Sequence, residues 1–497
     1  MKKWIFIFIL IIMQLSACSH FNNNKEKLAE KGSVNQGDIM LFPKSRYGFI
    51  GDPMPFFHEG KMNMFYLLDE RGGSIGFHPF ALLQTTDFLK WRDFGVVIPY
   101  ENDIYSQDLA LGTGSIIYGH DKKYHAFYTG HNGSGLMPYK EMIQHATSTD
   151  LINWTKHPEL GFYGGVDDFR DPYIYFDENT NEYWMLITTR QGNRGVIKRY
   201  ISTDLYNWDD AGIFYSNPDG TYNMECPTLI EFNGYYYLTF SAQGTKNERV
   251  VHYRYTDDLS KGFTIPERDH LDGWGFYAGR LEKIDDNRMI LAGWNATKTL
   301  DRDYGEYMWG GHLVVHEVVQ KENGELGVSI LPEIDNALST KVKYEKIEGN
   351  VEENGKDYLF NKGNYRYILF EELLAKPTKA KFKVDIKEAK NFGITFNAYN
   401  SIFGDLNIYF DFELNTINFY CVPANEIVRN NPEISYYYDF SSFNELDITL
   451  ITENSTLVVY INDEVALTSR AYNMADSSFG FFTIQSKVVV SDFEIYE

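Results

Sequence analysis

The 497-residue chain is long enough for two or three domains with a large buried core. Hydrophobic residues make up 43% of it and charged residues 23%, which excludes a wholly disordered protein. Its 69 acidic and 46 basic residues give a net charge of −23, so nucleic acid and anionic membrane surfaces are excluded as partners. The aromatic content of 16% favours a β-rich fold and suits stacking on sugar rings.

The N-terminal segment has the pattern of an export signal. Two lysines precede an apolar run at 4–13, which is shorter than the roughly 20 residues of a membrane span. The run leads to Leu15-Ser16-Ala17-Cys18, which resembles the lipobox of bacterial lipoproteins. We therefore expect removal of 1–17, a lipid on Cys18, a flexible tether over 18–44, and an exported protein anchored at the cell membrane or cell surface. A plain signal peptide cut elsewhere is the alternative.

A short motif recurs along the first part of the chain. Its copies are TTDFLKW (85–91), STDLINW (148–154), STDLYNW (202–208) and the weaker YTDDLSKGF (255–263). Interleaved with them are five stretches in which an alternating apolar run, a polar turn and an aromatic run follow one another: 51–68, 112–130, 170–189, 225–242 and 277–294. Alternation with period 2 on both sides of a polar turn is typical of β-hairpins.

Five such hairpins, about 50 to 60 residues apart, favour a radial fold. We predict a five-bladed β-propeller over 45–338, with a non-radial all-β repeat as the alternative. In a propeller the first strand of each blade lines the central axis, so residues at the starts of these strands converge on one funnel. After about residue 340 the repeat stops and short alternating strands follow, which predicts a β-sandwich over 339–497.

Carboxylates stand at three of the five predicted first-strand starts. They are Asp52 and Asp171, each followed by proline, and Glu225 in Glu225-Cys226-Pro227. We interpret all three as occupying one repeat position, where like charges would repel each other. Glycosidic bond cleavage uses one carboxyl group as acid and another as nucleophile or base, so the pattern predicts a glycosidase. Taken singly, each Asp-Pro also fits a simple turn.

At these positions the chain resembles glycoside hydrolase family 32, the family of invertases, levanases and inulinases. The resemblance rests on GDPMPFF (51–57), FRDP (169–172) and MECP (224–227), supported by TGS (113–115) and by the sandwich stretch 456–472. It spans about 45–497. It implies a five-bladed propeller followed by a sandwich, and a retaining hydrolase of β-fructosyl linkages in sucrose or fructans.

The resemblance also implies roles for individual residues. Asp52 would be the nucleophile, Glu225 the acid/base, and Asp171 a stabiliser of the transition state. We also expect substrate to be bound by Arg170, Thr113, Ser115, Trp294 and Cys226. Arg170 fits a structural ion pair equally well, and Cys226 fits a buried spectator thiol.

The first motif departs from the family pattern. The family usually has Asn before the nucleophile, and this chain has Gly51; Met54-Pro55 replaces the usual Asn-Gly, and Phe80-Ala81-Leu82 replaces a Trp-Gly-His segment. These departures leave the bound sugar open. Aromatic residues that fit either sugar stacking or packing between blades are Trp274, Phe276, Tyr277, Trp294, Tyr307 and Trp309.

Histidines show no metal-ligand spacing, and we predict no metal and no organic cofactor. Two other functions stay open. One is an inverting arabinan- or xylan-cleaving hydrolase of the related five-bladed clan. The other is a glycan-binding surface lipoprotein without turnover.

Overall fold

The structure is a computed structural model that describes residues 39–72, 74–218, 220–243, 248–371, 376–398, 402–474 and 477–497. The predicted signal segment 1–17, Cys18 and most of the predicted tether lie outside the described residues. Nearly all regular structure is β-strand, which confirms the all-β prediction. In the described part of the chain, the α-helical segment is Pro332–Ala337. Short 3₁₀ segments are Gln107–Leu109, Pro158–Leu160, Leu259–Lys261, Thr299–Asp301, Ala424–Arg429 and Tyr472–Met474.

In the N-terminal part of the chain, consecutive strands of each sheet pair with one another in antiparallel orientation. In order they are β1 (Phe49–His58), β2 (Lys61–Asp69), β3 (Phe80–Thr85), β4 (Arg92–Ile98), β5 (Ala110–Tyr118), β6 (Tyr124–His131), β7 (Glu141–Ser148), β8 (Trp154–Lys156), β9 (Phe169–Asp177), β10 (Glu182–Gln191), β11 (Arg194–Ser202), β12 (Asp209–Tyr215), β13 (Met224–Phe232), β14 (Tyr235–Ala242), β15 (Val251–Thr256), β16 (Phe276–Asp285), β17 (Arg288–Lys298), β18 (Tyr307–Gln320) and β19 (Leu326–Ser329). They form the sheets β5–β8, β9–β12 and β13–β15, and a fourth sheet that combines β1–β4 with β16–β19. The link within the fourth sheet is a single pairing of Ile50 with Gly311.

Five of these strands, which we call the inner strands, are β1, β5, β9, β13 and β16. Neighbouring inner strands contact one another in a closed sequence: β1 with β5, β5 with β9, β9 with β13, β13 with β16, and β16 with β1. The starts of the inner strands therefore face a common axis, which is where the three predicted carboxylates lie.

In its first three copies, the recurrent sequence motif forms the turn that leads to β4, β8 or β12. In the second copy the Ser148 hydroxyl accepts hydrogen bonds from the backbone N–H groups of Asp150 and Leu151. The Asp150 carboxylate in turn accepts the backbone N–H of Asn153 at 2.7 Å. Side-chain bonds of this kind replace backbone pairing in a tight turn, which is why Ser or Thr and Asp recur at fixed spacing.

The C-terminal strands form two sheets packed face to face. In chain order they are β20 (Lys341–Val342), β21 (Lys346–Gly349), β22 (Glu352–Asn354), β23 (Asp357–Phe360), β24 (Arg366–Phe370), β25 (Thr378–Asp385), β26 (Asn391–Phe396), β27 (Leu406–Asp411), β28 (Thr416–Tyr420), β29 (Ile434–Tyr437), β30 (Glu445–Glu453), β31 (Thr456–Ile461), β32 (Val465–Arg470), β33 (Phe479–Thr483) and β34 (Val488–Tyr496). One sheet runs β22-β23-β34-β25-β30-β31-β32 with β20 beside β34, and the other runs β21-β24-β33-β26-β27-β28-β29. Phe382 of the first sheet packs on Phe481 of the second, with ring centroids 4.7 Å apart.

A buried polar network joins the two halves of the chain. The Asp272 carboxylate accepts the backbone N–H and the hydroxyl of Thr468, together with His316 Nε2 at 3.2 Å. Arg470 is fully buried and donates to the carbonyl oxygens of Asn295 and Ala296. Because buried polar groups without partners destabilise a fold, these contacts fix how the halves meet.

The helices in the described residues are all too short or too polar to span a membrane.

Replacing Asp272 is expected to loosen the junction. In Asp272→Ala the buried His316 and the Thr468 N–H lose their acceptor, which should lower the free energy of unfolding by about 2–4 kcal/mol. Urea unfolding with a calorimetric Tm measures the loss. Asp257→Ala is the matched control, since that side chain is 60% exposed and pairs only with Lys261 in a surface ion pair. Equal stability of the two variants would contradict the role assigned to the network.

Candidate active site

Each inner strand breaks its pairing register near its start. The shifts fall between Gly51 and Met54, between Gly112 and Gly114, between Arg170 and Tyr173, between Glu225 and Thr228, and between Tyr277 and Arg280. A β-bulge bends the strand and re-aims the side chains beside it. Five bulges at equivalent places therefore turn the side chains of five strands toward one axis.

The bulged backbone is left-handed in four of the five strands. The residues with positive φ are Asp52 at 40°, Asp171 at 57°, Cys226 at 52° and Ala278 at 51°. A non-glycine residue held there costs of order 1 kcal/mol, and such strain gathers at functional sites. The prediction that three carboxylates share one repeat position is wrong for Glu225. Cys226 occupies the position of Asp52 and Asp171, whereas Glu225 stands one residue earlier.

The three carboxylates nevertheless lie in one cavity of about 310 Å³. Of the residues expected to bind substrate, the cavity is lined by Arg170, Thr113 and Cys226. Ser115 and Trp294 are not among the lining residues. Ser115 is buried, and its hydroxyl accepts the backbone N–H of Ile174 at 3.0 Å, so it braces the neighbouring inner strand.

Both oxygens of Asp52 are held by hydrogen bonds. The Thr113 hydroxyl donates to Oδ2 at 2.7 Å, and the Trp294 indole N–H donates to Oδ1 at 3.0 Å. Burial raises the pKa of Asp52, and the Thr113 hydrogen bond opposes that shift. The two donors hold the Asp52 carboxylate in one orientation. They also favour its charged form, which burial alone would disfavour.

Asp171 is the most enclosed of the three carboxylates, with 3% of its surface exposed. Its Oδ2 accepts the backbone N–H of Cys226 at 3.0 Å, and Arg170 Nε lies 3.9 Å from the same oxygen. Burial raises the pKa of Asp171 to about 7; Arg170 opposes the shift, and repulsion from Glu225 adds to it.

Glu225 accepts one charged and one neutral donor. Arg170 Nη2 lies 3.0 Å from its Oε1, and the Tyr277 hydroxyl donates to Oε2 at 2.6 Å. Burial, followed by the charge of Glu225, raises the pKa of Tyr277 well above its usual value, which keeps the phenol protonated as a donor. Arg170 also forms an ion pair with Asp168 at 2.7 Å, so it contacts a residue outside the cavity as well as Glu225 inside it.

Cys226 contributes its backbone more than its thiol. Its N–H binds Asp171, while Sγ lies 3.9 Å from the Thr113 hydroxyl. Burial raises the pKa of the thiol well above its usual value, so it stays protonated. Both cysteines among the described residues, Cys226 and Cys421, are free.

Several side chains that line the cavity were not predicted from the sequence, and two aromatic residues expected near the cavity lie elsewhere. The additional lining side chains include Glu141, His78, His131, Gln243 and Arg249, of which Arg249 lies 3.4 Å over the Tyr277 ring. Tyr277 stands at the repeat position of Glu225, so a stricter alignment of the copies identifies it. Trp274 and Tyr307 point to the C-terminal half, where both bind Glu433. In the described residues, no group of three or more His, Cys, Asp or Glu side chains is arranged to hold a metal ion.

Comparison with known proteins agrees with this geometry. The family model "Glycosyl hydrolases family 32 N-terminal domain" matches residues 44–327, and "GH32, BT1760-like, C-terminal domain" matches 324–495. A Vibrio alginolyticus sucrose-6-phosphate hydrolase is 25% identical over 320 residues, which are 60% of this chain and 64% of the relative. The chain thus spans slightly less than two thirds of that relative's length.

Solved structures share the fold over nearly the whole chain. A Bombyx mori GH32 beta-fructofuranosidase superimposes with a TM-score of 0.69 at 20% identity, covering 96% of this chain and 97% of that one. An Aspergillus awamori exo-inulinase gives a TM-score of 0.71 at 14% identity, covering 92% and 97%. These similarities establish the fold.

The raised pKa of Asp171 has a measurable consequence for stability. Between pH 3.8, the usual value, and about pH 7, the unfolded chain releases the Asp171 proton while the folded protein retains it, so stability falls as pH rises. Asp171→Asn removes this loss and should gain about 2–4 kcal/mol relative to the parent between pH 4 and pH 7. Urea unfolding at several pH values measures the difference. Asp286→Asn, whose side chain is 96% exposed, is the control, and a gain independent of pH would contradict the assignment.

Proposed function

This chain belongs to glycoside hydrolase family 32, and on that premise we propose that it cleaves β-fructosyl linkages in sucrose or fructans with retention of configuration. The observation that carries the proposal is the meeting of Asp52, Asp171 and Glu225 in one cavity. The names of similar proteins support the substrate class, since they include sucrose-6-phosphate hydrolases and a Bombyx mori enzyme variant in complex with sucrose. Family membership does not favour an arabinan- or xylan-cleaving enzyme.

In the proposed mechanism Asp52 is the nucleophile. One carboxylate oxygen attacks the anomeric carbon of the fructosyl unit while Glu225 protonates the departing oxygen, which leaves a covalent fructosyl–enzyme. Glu225 then removes a proton from water, and the resulting hydroxide displaces Asp52. Thr113 and Trp294 hold the Asp52 carboxylate in one orientation, so little rearrangement precedes attack.

Arg170 and Tyr277 position the acid/base. They bind the two different oxygens of Glu225, which fixes the plane of the carboxyl group. Asp171 is proposed to bind sugar hydroxyls and to stabilise positive charge that develops on the ring in the transition state. The hydrogen bond that the Asp171 carboxylate accepts from the Cys226 N–H connects it to the strand that carries Glu225.

We extend the proposal to the architecture. A five-bladed propeller over 45–338 and a sandwich over 339–497 are supported by the closed sequence of inner-strand contacts. On this view β1–β4 and β16–β19 are separate blades that touch at the Ile50–Gly311 pair. In that arrangement the catalytic cavity lies on the central axis of the propeller.

Substitution of the carboxylates tests the mechanism. Asp52→Asn and Glu225→Gln should each lower kcat on sucrose, inulin or levan by about 10²–10⁴, because each removes a group that forms or breaks a bond. Release of reducing sugar measures turnover, and circular dichroism checks folding. Glu231→Gln is the matched control, because Glu231 lies exposed on the same strand as Glu225 and outside the cavity.

The first product anomer decides the stereochemistry. With a ¹³C-labelled fructoside, NMR should show β-fructofuranose first, as a double displacement requires. Appearance of the α anomer would replace the proposed mechanism with a single displacement. Absence of turnover on all three substrates would refute the proposed activity.

We also propose that the protein is exported and anchored through a lipid on Cys18. The basis is the sequence pattern Leu15-Ser16-Ala17-Cys18 after a short apolar run. In this proposal the protein contacts the membrane only through its lipid anchor, and its substrate is a saccharide outside the cell.

Metabolic labelling tests the anchor. Cells fed radiolabelled palmitate should incorporate label into the wild-type chain and lose it in Cys18→Ser, with the protein shifting from the detergent to the aqueous phase of Triton X-114. Ser19→Ala serves as the control. Labelling that persists in Cys18→Ser would contradict the proposal.

A further inference from the structure

Gly51, the residue before Asp52, has no room for a side chain. A Cβ atom built on it would lie 2.2 Å from Cη2 and 2.4 Å from Cζ2 of Trp309. The φ angle of Gly51 lies outside the left-handed region, so its backbone accepts other residues. The Trp309 indole is therefore the reason that glycine is required here.

Trp309 belongs to β18 and lines the cavity beside Asp52. Its ring stacks on His78, with centroids 4.0 Å apart and planes 25° from parallel. It also contacts Trp294, the indole donor to Asp52, at a centroid distance of 5.7 Å. Trp309 and His78, which we call the aromatic wall, thus stand next to the proposed nucleophile.

The aromatic wall is uncharged near neutral pH. Burial lowers the pKa of His78 to about 4, although the charge of Asp69 opposes that shift. His78 and Phe77 also border a second cavity of about 180 Å³ lined by Asp69, Arg71 and Tyr100. The wall therefore stands where the main cavity meets this neighbouring one.

A wall of this kind recognises a sugar in a different way from an amide. The residue that family 32 usually carries before the nucleophile is asparagine, whose amide offers hydrogen bonds to hydroxyl groups. Here that volume is filled by the apolar indole of Trp309, which offers contacts to the C–H groups of a sugar. The change replaces directional hydrogen bonding beside Asp52 with apolar contact.

We infer that the aromatic wall formed by Trp309 and His78 packs against the sugar ring bound over Asp52 and contributes to its affinity, and that Gly51 is the residue that leaves room for the indole. The inference rests on the proposed function, because the ring in question is the fructosyl unit being transferred. Trp309 forms and breaks no bond in this scheme; its effect is on the binding and placement of the ring.

The steric part is tested by a double-mutant cycle. Gly51→Ala alone should lower kcat/KM at least tenfold, because the new methyl group displaces the indole. In a Trp309→Ala background the same substitution should change kcat/KM less than twofold, since the three atoms nearest to the new methyl group all belong to the Trp309 indole and are then absent. An equal effect of Gly51→Ala in both backgrounds would overturn the inference.

The binding part is tested without turnover. In an Asp52→Asn background, calorimetry with sucrose and with short inulin oligomers should show about tenfold weaker binding for Trp309→Ala. Trp309→Phe should retain most of the affinity, because it keeps a flat apolar ring. Trp154→Phe is the control, since that indole binds the Leu151 carbonyl and lies outside the cavity. Unchanged affinity in Trp309→Ala would overturn the inference.

The two proposals fail in different ways. If the parent protein neither cleaves nor binds any fructoside, the proposed function fails and the inference falls with it. If the parent cleaves sucrose or fructans while Trp309→Ala binds and cleaves them equally well, the function stands and the wall is refuted. If the Trp309→Ala variant does not fold, the inference is tested with Trp309→Phe and Gly51→Ala. For these variants KM and kcat are measured separately.

Discussion

The bulge near the start of each inner strand, left-handed in four of the five, is the constraint on which the rest of the site depends. A regular strand alternates its side chains between its two faces, so it cannot aim two consecutive residues into the same space. The bulge breaks that alternation and lets Glu225 and the backbone N–H of Cys226 serve the cavity together. Strain at Asp52, Asp171 and Cys226 is offset by the hydrogen bonds that the bulged residues make.

Charge in the cavity is balanced by a few shared donors. Three carboxylates in one enclosed space would repel one another strongly, and Arg170 lies between two of them. Arg170 also pairs with Asp168, which positions its guanidinium from outside the cavity. The same arginine therefore links Glu225 of β13 to Asp168, which directly precedes β9.

Much of this arrangement could be predicted from sequence because it is repetitive. The hairpin pattern and the Asp-Pro pairs identified the inner strands, and the family resemblance is confirmed by both domain matches. The position of Glu225 within the repeat was predicted wrongly, since the bulge adds a residue whose location depends on strand pairing. Contacts such as His78 on Trp309 or Arg249 on Tyr277 join residues that are far apart in the sequence, and no local pattern encodes them. The contacts of Trp274 and Tyr307 with the C-terminal half could not be predicted for the same reason.

The way the chain enters the first strand has a mechanical consequence. The backbone N–H groups of Leu41 and Phe42 donate to the two oxygens of Glu453, at the end of a sandwich strand. A pull on the chain ahead of Leu41 therefore loads this contact with the C-terminal half before it reaches β1. Leu41, Phe42 and Glu453 all lie outside the cavity that holds the three carboxylates.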